Sequence, residues 1–282
     1  MTESSGVRDR PRPGLLVFDF DGTLWRGDEP LLHYAQLVSE ELPSGERLPF
    51  QAALRALLHG ERWAVTGLNA PPHDGWAAVA ELARARGGSE RHRQEAFAET
   101  RRRIAAGDFQ LEVPAGLPEF LAFSRTCCTV VLASNSPAES VQPVVERLGL
   151  VGYLDDIASD ASKPGRFLEL VDGWISVLRP DHVMSVGDHY RNDIEPAAGR
   201  GWFTTYINPW RWIPGSCSIA GATVEEVLPQ LYGWVRAVER SAADRRGGLP
   251  VGSGSADSPA PGGTGKEGAA SSVGSARDDP CV

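Results

Sequence analysis

The sequence predicts an α/β fold: a Rossmann-like parallel sheet core carrying an inserted all-α cap domain. Three observations point there. Short apolar runs that end in Asp, Ser or Gly recur along the chain, and helical periodicities separate the later runs. Strands alternating with helices build a parallel sheet. Between the first and second runs, by contrast, the pattern is helical only.

The first run, LLVFDF at 15–20, leads into an Asp-Gly turn, as a buried strand feeding a loop does. Helices follow at about 29–41, 49–59, 74–86 and 89–106, with Asp74 and Ser89 suited to N-caps and Gly87 and Gly107 to C-terminal stops. The second strand is TVVLASNS at 129–136, followed by a helix over 137–149 that Gly149 terminates. A weaker strand, LDDIAS at 154–159, precedes a helix over 166–178. HVMSVGD at 182–188 and WFTTYI at 202–207 complete the strands. The division is therefore a flexible N-terminus over 1–13, a core from 14–26 and 113–240, a helical cap over 27–112, and a tail over 241–282. That tail is rich in Gly, Ser, Ala, Pro and Asp and holds no aromatic residue, so disorder is the expectation.

Composition narrows the function. Hydrophobic content of 41% and charged content of 23% are ordinary for a soluble globular chain. A net charge of −9 argues against a nucleic-acid partner. No run approaches the roughly 18 apolar residues of a membrane span. The polar start MTESSGVRDRPRPG is no secretory signal, and the four cysteines form neither a disulfide framework nor a zinc motif. A cytoplasmic protein is expected, with no nucleic-acid or membrane partner.

Asp19 and Asp21 flank Phe20 at the end of the first strand, where alternation turns both acids the same way. Close carboxylates repel and call for a cation or a shared proton. One is then a candidate nucleophile and the other a general acid/base, with Mg²⁺ neutralising the pair. The alternative is a solvated Asp-Gly turn. Asp19, Ser134 and Asp188 all fall at carboxyl ends of predicted strands, where open parallel sheets bind ligands. Lys163 stands out because 26 of the 28 basic residues are arginine, and the other lysine, Lys266, sits in the tail.

DFDGT, the serine after the second strand, Lys163 followed by Pro, and GDHYRND occur in one order, and the chain over about 15–235 resembles the haloacid dehalogenase-like superfamily of hydrolases. The resemblance implies Asp19 as the nucleophile that forms an aspartyl-phosphate and Asp21 as general acid/base. It implies Mg²⁺ held by the Asp19 carboxylate, the Asp21 main-chain carbonyl and Asp188, with Asp193 acting through water or on Lys163. Ser134, with Asn135 beside it, is implied to hold a phosphoryl oxygen, and Lys163 to hold both the nucleophile and the phosphate. An ammonium is the compact donor that such a crowd of acceptors wants. Relatives that cleave carbon–halogen or carbon–phosphorus bonds are implied to lack an acid at the position of Asp21. The expected function is therefore Mg²⁺-dependent hydrolysis of a small phosphorylated metabolite, with a phosphomutase or a non-catalytic binding module as alternatives.

Other residues are read more plainly. Arg101–Arg103 are taken as the wet face of a cap helix, with substrate contact the alternative. Trp25 is taken as packing and His189 as a surface histidine. NPWRWIPG at 208–215 is a further stretch on the ligand side of the sheet.

Overall fold

The computed structural model describes residues 12–60, 66–69, 72–175, 180–209 and 215–247. Its sheet has six parallel strands in the order β3-β2-β1-β4-β5-β6. These are β1 (Gly14–Phe18), β2 (Cys128–Ala133), β3 (Asp156–Ala158), β4 (Val183–Gly187), β5 (Phe203–Ile207) and β6 (Ile219–Gly221). In β1 all five residues are buried, as a central strand covered on both faces requires. Alternation splits its side chains: Leu16 and Phe18 join one core cluster, Leu15 and Val17 the other. Because β2 and β4 flank β1 on opposite sides, the order of strands reverses there and opens a crevice above its carboxyl end.

The five expected strands are present but shorter. β1 stops at Phe18, and the chain beyond it stays tied to the sheet through Asp19 N–H donating to Val186 O at 2.9 Å. Helices α6 (Ala138–Arg147) and α7 (Phe167–Trp174) also end early; residues 176–178 of the expected 166–178 helix lie outside those described. Apart from short 3₁₀ and π turns, four of the helices and strands have no counterpart in the sequence expectation: α5 (Leu117–Ser124), the short α8 (Glu195–Gly199), β6, and the long α9 (Val224–Gly247). The last corrects the tail. Helix α9 runs past the expected boundary at 241, since Ala and Arg favour helix, and Ser241 and Arg245 meet His182. The tail from 248 and the N-terminal segment to 11 lie outside the described residues.

Between β1 and α5 lie α1 (Glu29–Glu40), α2 (Arg47–Leu58), α3 (Gly75–Ala85) and α4 (Glu90–Ala106). They bury a cluster of their own around Tyr34, Val38, Phe50, Leu57, Val79 and Leu82. Asp74 caps α3 by accepting from Ala77 N–H at 2.6 Å, and Ser89 caps α4 by accepting from His92 N–H at 3.1 Å. Gly107 ends α4 in the left-handed region at φ 88°. The chain leaves the sheet and returns to it through one paired position, where Arg26 and Glu112 exchange two main-chain hydrogen bonds of 2.9 Å. Helix α4 lies against α6, whose Arg147 donates to the carbonyls of Ile104 and Ala105. Among the described residues no helix is long and apolar enough to cross a membrane.

Candidate active site

Asp19 leaves the end of β1 and Asp188 the end of β4, its neighbour in the sheet. Two glycines make room for the carboxylates. A Cβ on Gly22 would lie 2.1 Å from Asp188 Oδ2, and its φ of +76° already favours glycine. A Cβ on Gly187 would lie 2.4 Å from Asp193 Oδ2. Asp193 sits in a one-turn π-helix (Tyr190–Ile194), where its Oδ2 accepts from His189 N–H at 3.1 Å.

Lys163 bridges the strand ends. Its Nζ donates to Asp19 Oδ1 at 2.7 Å and to Asp193 Oδ1 at 2.6 Å, and its side chain is 2% exposed. The loop that presents it holds Asp160 and Ser162 at φ 50° and 54°, a conformation non-glycine residues adopt at some cost. Asn135 secures the same loop: its Oδ1 accepts from Lys163 N–H at 2.6 Å and its amide donates to Lys163 O at 3.0 Å. The Asn135 side chain therefore serves Lys163.

Burial sets the electrostatics. It pushes the Asp19 carboxyl up to about 6, Asp193 adds to the rise, and Lys163 opposes it. Asp188 is driven well above the carboxylate range by burial first, then by Asp19 and Asp74. Burial also raises Asp193, against the pull of Lys163. Burial works against the Lys163 ammonium, but Asp19 and Asp193 outweigh it and hold its pKa above the usual lysine range. Asp19, Asp188 and Asp193 each offer an oxygen within 4.8 Å of the others. Crowded, buried, oxygen-only donors that resist ionising on their own suit a hard divalent cation such as Mg²⁺.

Asp19, Asp21, Ser134, Asn135, Lys163 and Asp188 line a single cavity of about 250 Å³, with Asp193 directly behind Lys163. Ser134 Oγ accepts from Ser136 N–H at 3.0 Å. The insert adds Asp74, Trp76 and Phe97 to the walls, a share that the local sequence pattern does not reveal. A second cavity of about 330 Å³ adjoins it, sharing Trp76 and Asp188 and walled by Trp25, Leu31 and Glu225. Pro209 reaches that cavity, whereas 210–214 lie outside the described residues. Trp25 is buried at 2% exposure, edge-on to Phe20.

One expectation is overturned. Arg102 and Arg103 do lie on the outer side of α4, paired with Glu99 and Asp108, but Arg101 is 2% exposed and its Nη1 donates to Asp21 Oδ1 at 2.8 Å. The helical spacing held the signal: Phe97, Arg101 and Ile104 share the face that packs inward, so the three arginines were never one surface.

The family model of the haloacid dehalogenase-like hydrolases matches residues 14–201. No curated protein matches the chain. Among solved structures, the chain is similar to a magnesium-bound protein of Bacillus subtilis, YfnB, named as a HAD-hydrolase. The TM-score is 0.52 at 17% identity, covering 78% of this chain and 99% of that one. It is also similar to a protein of Thermotoga maritima named as a β-phosphoglucomutase, with a TM-score of 0.50 at 19% identity over 78% and 99% of the two chains. At such identities the likeness is one of fold. With the family model covering most of the sheet and all of the insert, the chain belongs to the haloacid dehalogenase-like hydrolases.

Proposed function

We propose that the chain is a Mg²⁺-dependent hydrolase of small phosphomonoesters that works through an aspartyl-phosphate on Asp19. The observation that carries this reading is the second acid. Asp21 lines the same cavity as Asp19, so a nucleophile and a proton donor face one small space. Carbon–halogen cleavage needs no proton donor, whereas an alkoxide leaving from phosphorus does.

Asp19 attacks phosphorus, held by Lys163 and relieved of its charge by the same contact. The P–O bond to the ester oxygen breaks, and Asp21 delivers a proton to that oxygen. In the second half Asp21 takes a proton from water, which attacks phosphorus and frees the Asp19 carboxylate with inorganic phosphate. Ser134 and the main chain of Asn135 hold phosphoryl oxygens, and Lys163 Nζ balances the charge that builds on them. Asp19 and Asp188 are the side chains that would hold Mg²⁺, joined by the Asp21 main-chain carbonyl; when bound it would supply charge neutralisation at the phosphoryl group. Because Asp193 gives both oxygens to Lys163 and His189, its part is to fix Lys163 and to complete the acidic shell behind Asp188. The four-helix insert acts as a cap, and the cavity of about 250 Å³ beneath it suits a small phosphorylated metabolite.

The test is phosphate release from a panel of phosphorylated metabolites with Mg²⁺ and with chelator, run beside halide release from 2-haloacids. Metal-dependent phosphate release from at least one monoester is expected. Halide release without phosphate release would overturn the reading, and conversion of a sugar phosphate to its isomer without net hydrolysis would replace it with a mutase.

A further inference from the structure

We propose that Arg101, on the last helix of the insert, is the positioning residue for Asp21, so that the acid/base is in place only while the insert is seated on the core. The inference rests on the phosphomonoesterase reading and adds to it a residue outside the family's four motifs.

Arg101 is a charged side chain sunk to 3% exposure between two parts of the fold. Its Nη1 donates to Asp21 Oδ1 at 2.8 Å, while Nε and Nη2 each donate to Ser140 Oγ at 3.2 Å. Ser140 lies on α6 of the core and is itself fixed by donating to Pro137 O at 3.0 Å. The other Asp21 oxygen, Oδ2, accepts from Ser136 Oγ at 2.9 Å. Each oxygen of Asp21 is thus held by a different element, one from the insert and one from the loop after β2. A planar guanidinium can serve Asp21 along one edge and Ser140 along another, which an ammonium cannot do at once. The helix that carries it is seated independently, since Arg147 of α6 donates to the carbonyls of Ile104 and Ala105 at the end of α4. Removing the guanidinium leaves the nucleophile, Lys163 and the acid cluster untouched but lets Asp21 turn.

A loose general acid costs most where the leaving group most needs a proton. Nitrophenolate departs from phosphorus with little help, whereas a glycerol alkoxide must be protonated as it leaves. The experiment therefore compares kcat/KM for p-nitrophenyl phosphate and for glycerol 2-phosphate in wild type, Arg101→Gln, Arg101→Lys and Ser140→Ala, with a melting curve for each. Since kcat/KM reports on transfer to Asp19, the later hydrolysis step does not mask the difference. For Arg101→Gln a loss of about 100-fold on glycerol 2-phosphate against less than about tenfold on the nitrophenyl ester is expected, the range of a general acid. Arg101→Lys should recover only part of the alkyl activity. Ser140→Ala, which frees the anchor and spares Asp21, should shift the ratio in the same direction by less, and it carries the test if Arg101→Gln fails to fold. Equal losses on both esters, or none, would overturn the positioning role while leaving the phosphatase reading intact. A wild type that hydrolyses the aryl ester alone would overturn it as well, because no acid is then in use. A wild type inactive on every monoester would remove the phosphatase reading, and this inference with it.

Discussion

Replacing Lys163 by Met keeps the length of the side chain and deletes its charge from between two buried carboxylates. Two contacts disappear, at 2.7 Å to Asp19 and 2.6 Å to Asp193, from a side chain only 2% exposed. What remains is a cluster of Asp19, Asp188 and Asp193 with no cation inside it, and breaking a buried pair in this way costs about 3–5 kcal/mol. The loss should depend on pH. Asp19 already titrates near 6 with Lys163 pulling it down, so without Lys163 it rises further and picks up a proton in mild acid. Denaturant unfolding with chelator at pH 8 and at pH 5 reads both effects. The variant should be several kcal/mol weaker at pH 8 and recover part of that at pH 5, whereas its loss of phosphate release, about 100-fold or more, should persist at both. Lys163→Arg should recover stability in part and activity poorly, because the fork needs room that the slot does not have. A cost under about 1 kcal/mol, or one equal at both pH values, would refute the claim that the lysine neutralises a buried acid cluster.

Two further outcomes follow from the same electrostatics and packing. Asp19 has a folded-state pKa of about 6 against an ordinary value of 3.8, so the unfolded chain loses its proton first. Stability of the metal-free protein should fall as pH rises from about 4 to about 6 and stay lower above it, with Asp188 acting in the same sense. Mg²⁺ should accordingly raise the melting temperature more at pH 7.5 than at pH 5; an equal rise would place the cation away from these acids. Gly22→Ala puts a Cβ 2.1 Å from Asp188 Oδ2 at a φ of +76°, so it should cost about 1–3 kcal/mol and weaken the Mg²⁺-induced rise in melting temperature. A variant with wild-type stability and metal response would show that the turn has slack the packing does not reveal.

The parts of the fold with strong local signals were legible in the sequence. β1, β2 and β4 are apolar runs that lead into Asp, Ser or Gly, β5 is a β-branched and aromatic run closed by Asn208 and Pro209, and the caps at Asp74 and Ser89 announce the helices they begin. The expected ends run past β1 and β2, where Asp19 and Ser134 still bond to the sheet through Val186 O at 2.9 Å and Ala158 O at 2.8 Å before the chain turns away. Helix α9 has no counterpart in the sequence expectation although Val227, Leu231, Val235 and Val238 bury a stripe of it; its turns past 240 are held instead by helix propensity and by Ser241 and Arg245 against His182. The residues contributed by the β1, β2 and β4 ends were readable because one sheet edge gathers them whatever the details. The insert's contribution was not. Asp74 is both the cap of α3 and a wall of the cavity, and only tertiary packing supplies the second role. Arg101 hid inside a run of three arginines, and its buried position shows only when helical phase is counted against Phe97 and Ile104.

The proposed chemistry turns on whether Asp19 carries the phosphoryl group. The direct measurement is to quench turnover of a ³²P-labelled monoester in acid with Mg²⁺ present and to map the label on the chain. The account predicts a hydroxylamine-sensitive label on the peptide containing Asp19. With an aryl monoester, whose leaving group needs no proton from Asp21, it should accumulate in Asp21→Asn, where hydrolysis of the intermediate lacks its base, and be absent from Asp19→Asn, which should melt no lower than wild type. Turnover by Asp19→Asn within about tenfold of wild type, or a label on any other residue, would contradict it.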